Sequence, residues 1–178
     1  IVTVDPHLHR IHSLDEIYSI PTLAVSAMPA VAQWIRANVA NPIVIGPDAE
    51  SVQWVERVAR ELDVPSVVLE KVRHGDRHVE VSALDPALVR GRTPVVLDDI
   101  ASSGRTFIEV LNKLSAANID GATCIAVHAL FAGTAEEDLR NAGARRIIST
   151  NTVPHPTNAI DVSALVGKAV AKLITTPR

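Results

Sequence analysis

The chain has 178 residues, of which 47% are hydrophobic and 21% are charged, a balance that is typical of a single globular domain. Its formal net charge of −3 argues against a protein that binds nucleic acid or a membrane surface, and no apolar run is long enough to cross a bilayer. The one cysteine, Cys124, excludes a disulfide within the chain. It lies in an apolar segment, where we expect a buried thiol. These features favour a cytoplasmic protein.

Short apolar segments bounded by Gly, Pro or Asp predict six strands. They are Ile1–Val4, Ile43–Ile45, Ser66–Leu69, Pro94–Leu97, Thr123–His128 and Arg146–Thr150. Between and after them, apolar residues recur with the period of a helix. This pattern predicts helices at Met28–Val39, Ser51–Leu62, Thr106–Ala117, Thr134–Ala142 and Ala164–Ile174. Apolar strands that alternate with amphipathic helices indicate an α/β fold with a doubly wound parallel sheet.

One segment breaks this alternation. Residues Val72–Val79 read VRHGDRHV, with few apolar side chains and many charges and histidines, so we predict a mobile loop there. Both tryptophans, Trp34 and Trp54, fall on helix patterns, where packing is the expected role. No aromatic residue is expected near the phosphate motifs described next.

The strongest motif is PVVLDDIASSGRT, residues Pro94–Thr106, in which an apolar strand ends in Asp98 and Asp99. Small residues follow at Ala101–Gly104, and a helix then begins. Small side chains let the backbone approach a ligand, and the N–H groups at a helix start attract phosphate. A carboxylate beside such a site suits ribose hydroxyls. Without Gly-Lys-Ser/Thr this is not a Walker A loop, and the alternative is an ordinary turn with serine caps.

This segment resembles the motif that binds phosphoribosyl pyrophosphate (PRPP) in phosphoribosyltransferases and in PRPP synthetases. The resemblance implies one phosphoribosyltransferase-like domain over residues 1–178. It also implies that Asp98 and Asp99 hold ribose hydroxyls or Mg²⁺. The 5-phosphate is then assigned to Ser102, Ser103, Gly104, Arg105 and Thr106. Three further segments decide between the two groups of enzymes.

The first of these segments, Asp5-Pro6-His7, follows the first predicted strand. A carboxylate and an imidazole this close together suit a magnesium–nucleotide complex, because Mg²⁺ prefers oxygen ligands and retained waters. The segment resembles the Asp-x-His of PRPP synthetases, whose histidine contacts magnesium–ATP, and it therefore implies metal-side roles for Asp5 and His7. The alternatives are a histidine-rich surface turn, or half of a zinc site formed by His7 and His9.

The second segment, GPDAES at Gly46–Ser51, again places an aspartate between a strand and a helix. It resembles the pyrophosphate loop of PRPP synthetases, in which Ser-Pro-Asp is followed by one residue and two glycines. The resemblance makes Asp48 a ligand on the metal side and Asp48, Ala49, Glu50 and Ser51 the loop. Glu50 and Ser51 stand where the family has glycines. Glycine permits a close backbone approach that glutamate does not, and Glu50 adds a negative charge where phosphates should lie.

The third segment is Lys71-Val72-Arg73, where a predicted strand enters the charged segment. Alternating residues of an extended chain project to one side, so Lys71 and Arg73 can reach the same anion. The pair resembles the catalytic loop of PRPP synthetases, where a lysine and an arginine close over the triphosphate. The alternative is a solvated surface pair. Ala126–Gly133 and Ser149–Pro154 also resemble segments of that family.

The resemblance covers nearly the whole chain and corresponds to the C-terminal part of a PRPP synthetase, so we expect a preceding N-terminal domain that this sequence does not contain. It implies transfer of the diphosphoryl group of ATP to the 1-hydroxyl of ribose 5-phosphate, giving PRPP and AMP. Lys71 and Arg73 are the implied catalytic residues and Mg²⁺ the implied cofactor. The family further implies a homo-oligomer, with adenine contacts from the preceding domain and a neighbouring subunit.

Two rival functions remain open. A phosphoribosyltransferase that consumes PRPP with a base would share the Asp98-Asp99 loop, but it would need neither Asp5-x-His7 nor Lys71-x-Arg73. A non-catalytic, synthetase-like partner that regulates assembly is the second rival, and the Glu50-Ser51 replacement favours it.

Overall fold

The computed structural model describes residues 1–8, 11–69, 71–74, 78–81 and 84–175, and for 71–74 and 78–81 it describes the backbone alone. Its strands are β1 (Val2–Val4), β2 (Leu23–Val25), β3 (Pro42–Gly46), β4 (Ser66–Val68), β5 (Lys71–His74), β6 (His78–Val81), β7 (Thr93–Ala101), β8 (Thr123–Ala129), β9 (Arg146–Thr150) and β10 (Asn158–Ile160). Its α-helices are α1 (Met28–Asn38), α2 (Val52–Leu62), α3 (Pro86–Val89), α4 (Arg105–Ala116), α5 (Ala135–Asn141) and α6 (Ser163–Thr175). Short 3-10 helices lie at Leu14–Glu16 and Ala49–Ser51.

Six strands form the main sheet in the order β10-β9-β8-β7-β3-β4, and every neighbouring pair is parallel. From β3 the chain moves to β4 at one edge, whereas from β7 it moves through β8 and β9 to the opposite edge. The strand order therefore reverses between β3 and β7. In open α/β sheets the ligand crevice forms at such a point, beyond the carboxyl ends of the strands. The predicted doubly wound parallel sheet is confirmed.

Helices cover both faces of the main sheet, because successive strand residues point to opposite sides. Ile43 and Ile45 of β3 are fully buried in a cluster that includes Phe107 of α4. Val44, between them, is fully buried in the opposite cluster with Ile35 of α1. Full burial of an aliphatic side chain of this size contributes roughly 1.5–3 kcal/mol. The central strands are thus packed from both sides, and their carboxyl ends form a rigid platform.

β1 and β2 pair in parallel as a separate two-stranded sheet. The first predicted strand is therefore confirmed, but it lies outside the main sheet, and α6 packs against it. The backbone N–H of Asp5 donates to the carbonyl oxygen of Val25 at 2.9 Å, which extends the pairing one residue beyond β1. This bond sets the point at which the Asp5–His7 segment leaves the strand.

The remaining differences from the predicted elements are local. Apart from the end of β7, the predicted strands and helices differ from the observed ones by at most one residue at each end. The unpredicted elements β2, α3 and β10 have three or four residues each, too few to show a period.

The prediction of a loop over Val72–Val79 is wrong for the residues that the structure describes. β5 and β6 form an antiparallel pair in which Lys71 faces Val81 and Arg73 faces Val79. The β-branched valines of this segment favour an extended backbone. The prediction gave more weight to the many charges of the segment.

Cys124 is buried, and burial raises the pKa of its thiol to about 12. The predicted structural thiol is confirmed. Within the described ranges, no helix has both the length and the apolar character needed to cross a membrane.

Candidate active site

The candidate site lies at the carboxyl ends of β7 and β3 and on the segment that follows β1. β7 runs to Ala101, so Asp98 and Asp99 lie inside the strand and not after it, which corrects the predicted boundary at Leu97. Both aspartates are buried. Asp98 pairs with Ala126 of β8 in the sheet. The two carboxylates are therefore fixed by a central strand and are not carried on a loop.

His7 contacts this strand directly. Its Nδ1 lies 2.7 Å from Oδ2 of Asp99, across 92 residues of sequence, and 38% of its side chain is exposed. The hydrogen bond to Asp99 raises the pKa of His7 above its ordinary value of 6.5. The structure thus joins the predicted metal-side histidine to the predicted ribose-side aspartate in one hydrogen-bonded pair.

The backbone at Asp5 directs His7 toward the sheet. Asp5 has a left-handed φ of 34°, and its carboxylate accepts a hydrogen bond from the Ala27 N–H at 2.6 Å, at the start of α1. Burial raises the pKa of this carboxyl. The Asp5 carbonyl oxygen lies 3.1 Å from Nε2 of His128. Asp5, predicted as a metal-side residue, is held at this turn by both its side chain and its backbone.

The carboxylates of the site crowd one another. Oδ1 of Asp98 accepts the N–H of Asp99 at 3.0 Å, and Oδ2 accepts the hydroxyl of Thr106 at 3.2 Å. Burial, and then the charges of Asp99 and Asp48, raise the pKa of Asp98 to about 7. Three acidic groups therefore meet at this edge of the sheet, and a bound cation would relieve their repulsion.

The carboxylates of this site suit an ion that is also bound by water and substrate, as Mg²⁺ is, better than a metal that is held by protein side chains alone. Among the described residues, no three His, Cys, Asp or Glu side chains converge to hold a metal. Mg²⁺ typically keeps several waters and is held by one or two carboxylates together with substrate phosphates. One or two of the carboxylates of Asp48, Asp98 and Asp99 would hold it together with substrate phosphates.

The predicted phosphate loop follows β7. Ser102 and Ser103 are exposed, and Gly104, at φ 72°, precedes the first residue of α4. The positive φ favours glycine here, and a Cβ at Gly104 would make a tight contact, 3.3 Å from Cγ of Leu139. The loop presents two hydroxyls and the amino end of a 12-residue helix, whose N–H groups attract anions.

Two members of the phosphate loop differ in their contacts. Arg105 is exposed and begins α4. The Thr106 hydroxyl donates to Asp98, so in this arrangement its proton is directed to a carboxylate and not to a phosphate.

The pyrophosphate loop is built around Asp48 and Ser51. Oδ1 of Asp48 accepts the Glu50 N–H at 3.0 Å and caps the 3-10 turn. Ser51 is fully buried and its hydroxyl donates to the Asp48 carbonyl, so this side chain supports the turn and is not presented to a ligand. Ala49 and Glu50 are exposed. Of the four predicted loop residues, Asp48, Ala49 and Glu50 remain accessible.

Lys71 and Arg73, the predicted catalytic pair, lie in β5. Their side chains are outside the described part of the chain.

Two contributions to the site were missed by reasoning from the sequence. His128 spans the space between the Asp5 carbonyl and Thr152, with Nδ1 2.9 Å from the threonine hydroxyl. Trp54 lines a cavity together with His7 and Glu50, so the expectation that no aromatic residue lies near the phosphate motifs is wrong. The signal for His128 was its place in the Ala126–Gly133 segment. Nothing in the helix pattern of Trp54 distinguishes a cavity wall from packing.

Comparison with known proteins agrees with the resemblance seen in the motifs. The ribose-phosphate pyrophosphokinase of Aquifex aeolicus is 28% identical and covers 97% of this chain and 57% of its own length. That of Sulfurisphaera tokodaii is 29% identical and covers 80% of this chain and 50% of its own length. The chain spans about half the length of these curated relatives. The suspected likeness to PRPP synthetases is confirmed.

The fold itself is also similar to that of a solved structure. A crystal structure of phosphoribosylpyrophosphate synthetase from Mycobacterium smegmatis aligns with a TM-score of 0.78 and 23% identity, over 97% of this chain and 58% of that one. Residues 13–166 match the family described as the phosphoribosyl transferase domain. With most of its length matched, the chain belongs to the phosphoribosyl transferase domain family.

Proposed function

We propose that the chain carries the sugar-phosphate and catalytic site of a ribose-phosphate diphosphokinase. This enzyme transfers the diphosphoryl group of ATP to the 1-hydroxyl of ribose 5-phosphate, giving PRPP and AMP. The observation that carries the proposal is the contact between His7 and Asp99. A phosphoribosyltransferase that consumes PRPP would have no need of the Asp5-x-His7 segment, whereas here that segment is bound to the sugar-side strand.

The 5-phosphate is assigned to the exposed hydroxyls of Ser102 and Ser103 and to the amino end of α4, beside Arg105. A helix start supplies unpaired N–H groups and a partial positive charge. Asp99 and Asp98 lie five and six residues before Gly104, where carboxylate oxygens can accept hydrogen bonds from ribose hydroxyls. We propose that the sugar binds with its 1-hydroxyl toward the segment after β1.

The part of the site assigned to ATP carries negative charges that must be neutralised before a triphosphate can bind. A triphosphate would be repelled by Asp48, Asp98 and Asp99 unless a cation lay between them. Mg²⁺ bound there would neutralise phosphate charge and orient the diphosphoryl group. His7 adds to this, because the Asp99 hydrogen bond raises its pKa and so increases its cationic fraction near neutral pH.

Lys71 and Arg73 are proposed to neutralise charge that develops on the transferred group. β4 pairs with β3, and Leu69 donates its N–H to the carbonyl oxygen of Gly46 at 2.9 Å. The chain therefore enters β5 from the same end of the sheet that carries Asp48. In phosphoryl transfer, positioning and charge neutralisation matter more than covalent participation.

A second candidate is a non-catalytic partner of a PRPP synthetase. The observation that favours it is the loop Asp48–Ser51, in which Ser51 is buried and the exposed Glu50 occupies a position where the family has glycine. Such a partner would keep the sugar-phosphate site and lack turnover.

An AMP-release assay with ATP, Mg²⁺ and ribose 5-phosphate tests the proposal. Release that requires all three components supports the diphosphokinase. Consumption of PRPP with a base, without AMP release, identifies a phosphoribosyltransferase instead. In a protein of the relatives' full length, binding of ribose 5-phosphate by calorimetry without either reaction identifies the non-catalytic partner.

A further inference from the structure

The phosphate loop that follows β7 is held from one side by residues 130–134, which join β8 to α5 and which we name the β8–α5 loop. Leu130 donates its N–H to the carbonyl oxygen of Ala101 at 3.0 Å, and Ala132 donates its N–H to that of Ser102 at 3.2 Å. The side chain of Ser102 is exposed. The backbone that carries the predicted phosphate hydroxyls is therefore tied to the β8–α5 loop by hydrogen bonds.

The helix α5 lies against the same phosphate loop. A Cβ at Gly104 would lie 3.3 Å from Cγ of Leu139 and 3.6 Å from the carbonyl oxygen of Ala135. Leu139 is fully buried in the core cluster that also contains Phe107 of α4. A displacement of the β8–α5 loop or of the start of α5 would therefore displace the phosphate loop as well.

His155, in the turn between β9 and β10, lies against both of these elements. Its ring centroid is 4.9 Å from that of Phe131 in the β8–α5 loop, and the two ring planes are tilted by 45°, a geometry that aromatic pairs favour. Nε2 of His155 lies 3.9 Å from Oε2 of Glu136 in the first turn of α5, which is too long for a hydrogen bond. The contact with Phe131 is therefore the stronger of the two. None of the roles proposed above uses His155.

The imidazole of His155 is itself anchored by its own turn. Nδ1 accepts the N–H of Thr157 at 3.3 Å and lies 2.8 Å from the Thr157 hydroxyl, so the neutral ring carries its proton on Nε2. The same hydroxyl lies 2.7 Å from Oγ of Ser149, a fully buried residue of β9. The backbone N–H of His155 donates to Oδ1 of Asn158 at 2.9 Å. A ring that is already ordered in this way can restrain Phe131 with little further loss of conformational entropy.

We propose that His155 is a positioning residue for the sugar-phosphate site. The imidazole holds Phe131, and Phe131 holds the β8–α5 loop, whose Ala132 N–H fixes the carbonyl group of Ser102. His155 acts through these residues and is not itself placed against a substrate. The inference rests on the proposed function, because that proposal assigns the 5-phosphate to the phosphate loop.

Two substitutions separate the ring contact from the turn. His155→Asn removes the ring, but its side-chain oxygen can still accept the N–H two residues later, as asparagine does in turns. His155→Phe keeps a ring against Phe131 and loses the acceptor for Thr157. In calorimetry, His155→Asn should weaken binding of ribose 5-phosphate about three- to tenfold, the size of an aromatic pair, and His155→Phe should retain most of the affinity. Glu136→Gln is the control and should leave the affinity unchanged.

The restraint can also be measured without a ligand. The Ala132 amide is protected from hydrogen exchange while it donates to Ser102, so His155→Asn should speed its exchange about three- to tenfold, and His155→Phe should not. In the AMP-release assay, His155→Asn should raise KM for ribose 5-phosphate by the same factor and leave kcat and KM for ATP unchanged. General damage to the fold would instead change all three constants.

The outcomes distinguish the inference from the proposed function. Wild-type values of ribose 5-phosphate affinity and Ala132 exchange in His155→Asn overturn the inference and leave the proposed function intact. Equal losses in His155→Asn and His155→Phe also overturn it, because the ring contact would then not carry the effect. If the wild-type chain does not bind ribose 5-phosphate, the proposed function fails, and the exchange of the Ala132 amide alone decides whether His155 positions the loop.

Discussion

Nε2 of His128 lies 3.1 Å from the carbonyl oxygen of Asp5, and Nδ1 of the same ring lies 2.9 Å from the Thr152 hydroxyl. The Nε2–H of His128 donates to the Asp5 carbonyl oxygen, and Nδ1 contacts the Thr152 hydroxyl, which itself donates to the Val127 carbonyl oxygen at 2.9 Å. His128 therefore ties β8 to the segment after β9 and to the turn that leads to His7. We assign it a positioning role in the site.

His128→Leu should lower the pKa of His7 toward 6.5, because the turn is no longer held and the contact with Asp99 loosens. His128→Gln should preserve the pKa, since its amide N–H can donate to the Asp5 carbonyl. Proton NMR titration of the imidazole C–H signals measures this, with the His7 resonance assigned from a His7→Gln variant. An unaltered His7 titration in His128→Leu would remove the positioning role.

Gly46 and Ser51 are coupled by packing. A Cβ at Gly46 would lie 2.2 Å from Oγ of Ser51 and 3.0 Å from Cγ2 of Val55, so Gly46→Ala should destabilise the chain by about 1–3 kcal/mol through overpacking. Adding Ser51→Ala should recover part of this loss, because the nearest clashing atom is removed. Urea unfolding measures the free energy of unfolding of the single and the double variant. Gly167→Ala in α6, where nothing lies within 4 Å, should be neutral or stabilising.

Asp98 is expected to reduce stability at neutral pH in the absence of ligand. Its pKa is raised from 3.8 to about 7, so its favourable contribution is complete below pH 3.8 and is lost as pH rises through 7. That gap corresponds to about 4 kcal/mol at most. Asp98→Asn should therefore be more stable than the wild-type chain at pH 8 and lose much of this advantage at pH 5, with the remainder lost only near pH 3.8, by urea unfolding. Equal stability at pH 8 would contradict the expected cost of burying the ionised Asp98 carboxylate beside Asp99 and Asp48.

Asp98→Asn should also bind ribose 5-phosphate weakly, because Asp98 is proposed to hold ribose hydroxyls. Mg²⁺ should reduce the difference in unfolding free energy between Asp98→Asn and the wild-type chain at pH 8, since a cation near Asp98 and Asp99 stabilises only the ionised pair. Calorimetry and unfolding with and without Mg²⁺ separate the two effects.

The 5-phosphate assignment is tested at Ser103. Ser103→Ala should weaken binding of ribose 5-phosphate about tenfold, the size of a lost hydrogen bond to a charged group. Ser115→Ala, at an exposed position of α4, serves as the control and should leave the affinity unchanged. Equal affinities of the two variants in calorimetry would exclude the Ser103 hydroxyl from the site.

Five of the six strands of the main sheet could be predicted because they are apolar runs; β9 was predicted with its observed ends, Arg146–Thr150, whereas the three-residue β10 was not predicted. β7 was predicted too short because aspartate is unfavourable in a strand interior. In the structure Asp98 and Asp99 nevertheless lie inside the strand, at the candidate site. The contact of His7 with Asp99 spans 92 residues. It depends on the turn at Asp5 and on His128, which no local pattern encodes. Local rules therefore fail at the candidate site, as expected where function opposes stability.

The last prediction concerns Lys71, which alternates with Arg73 along β5. If Lys71 neutralises charge that develops in the transition state, Lys71→Ala should lower kcat by about 10²-fold or more, and KM for ribose 5-phosphate should barely change. This split distinguishes transition-state stabilisation from substrate binding, which would raise KM instead. Lys168→Ala, at an exposed position of α6, is the matched loss of a lysine and should leave both constants unchanged. A Lys71→Ala variant with normal turnover would exclude this residue from catalysis, and Arg73→Ala would then be the next variant to test in the AMP-release assay.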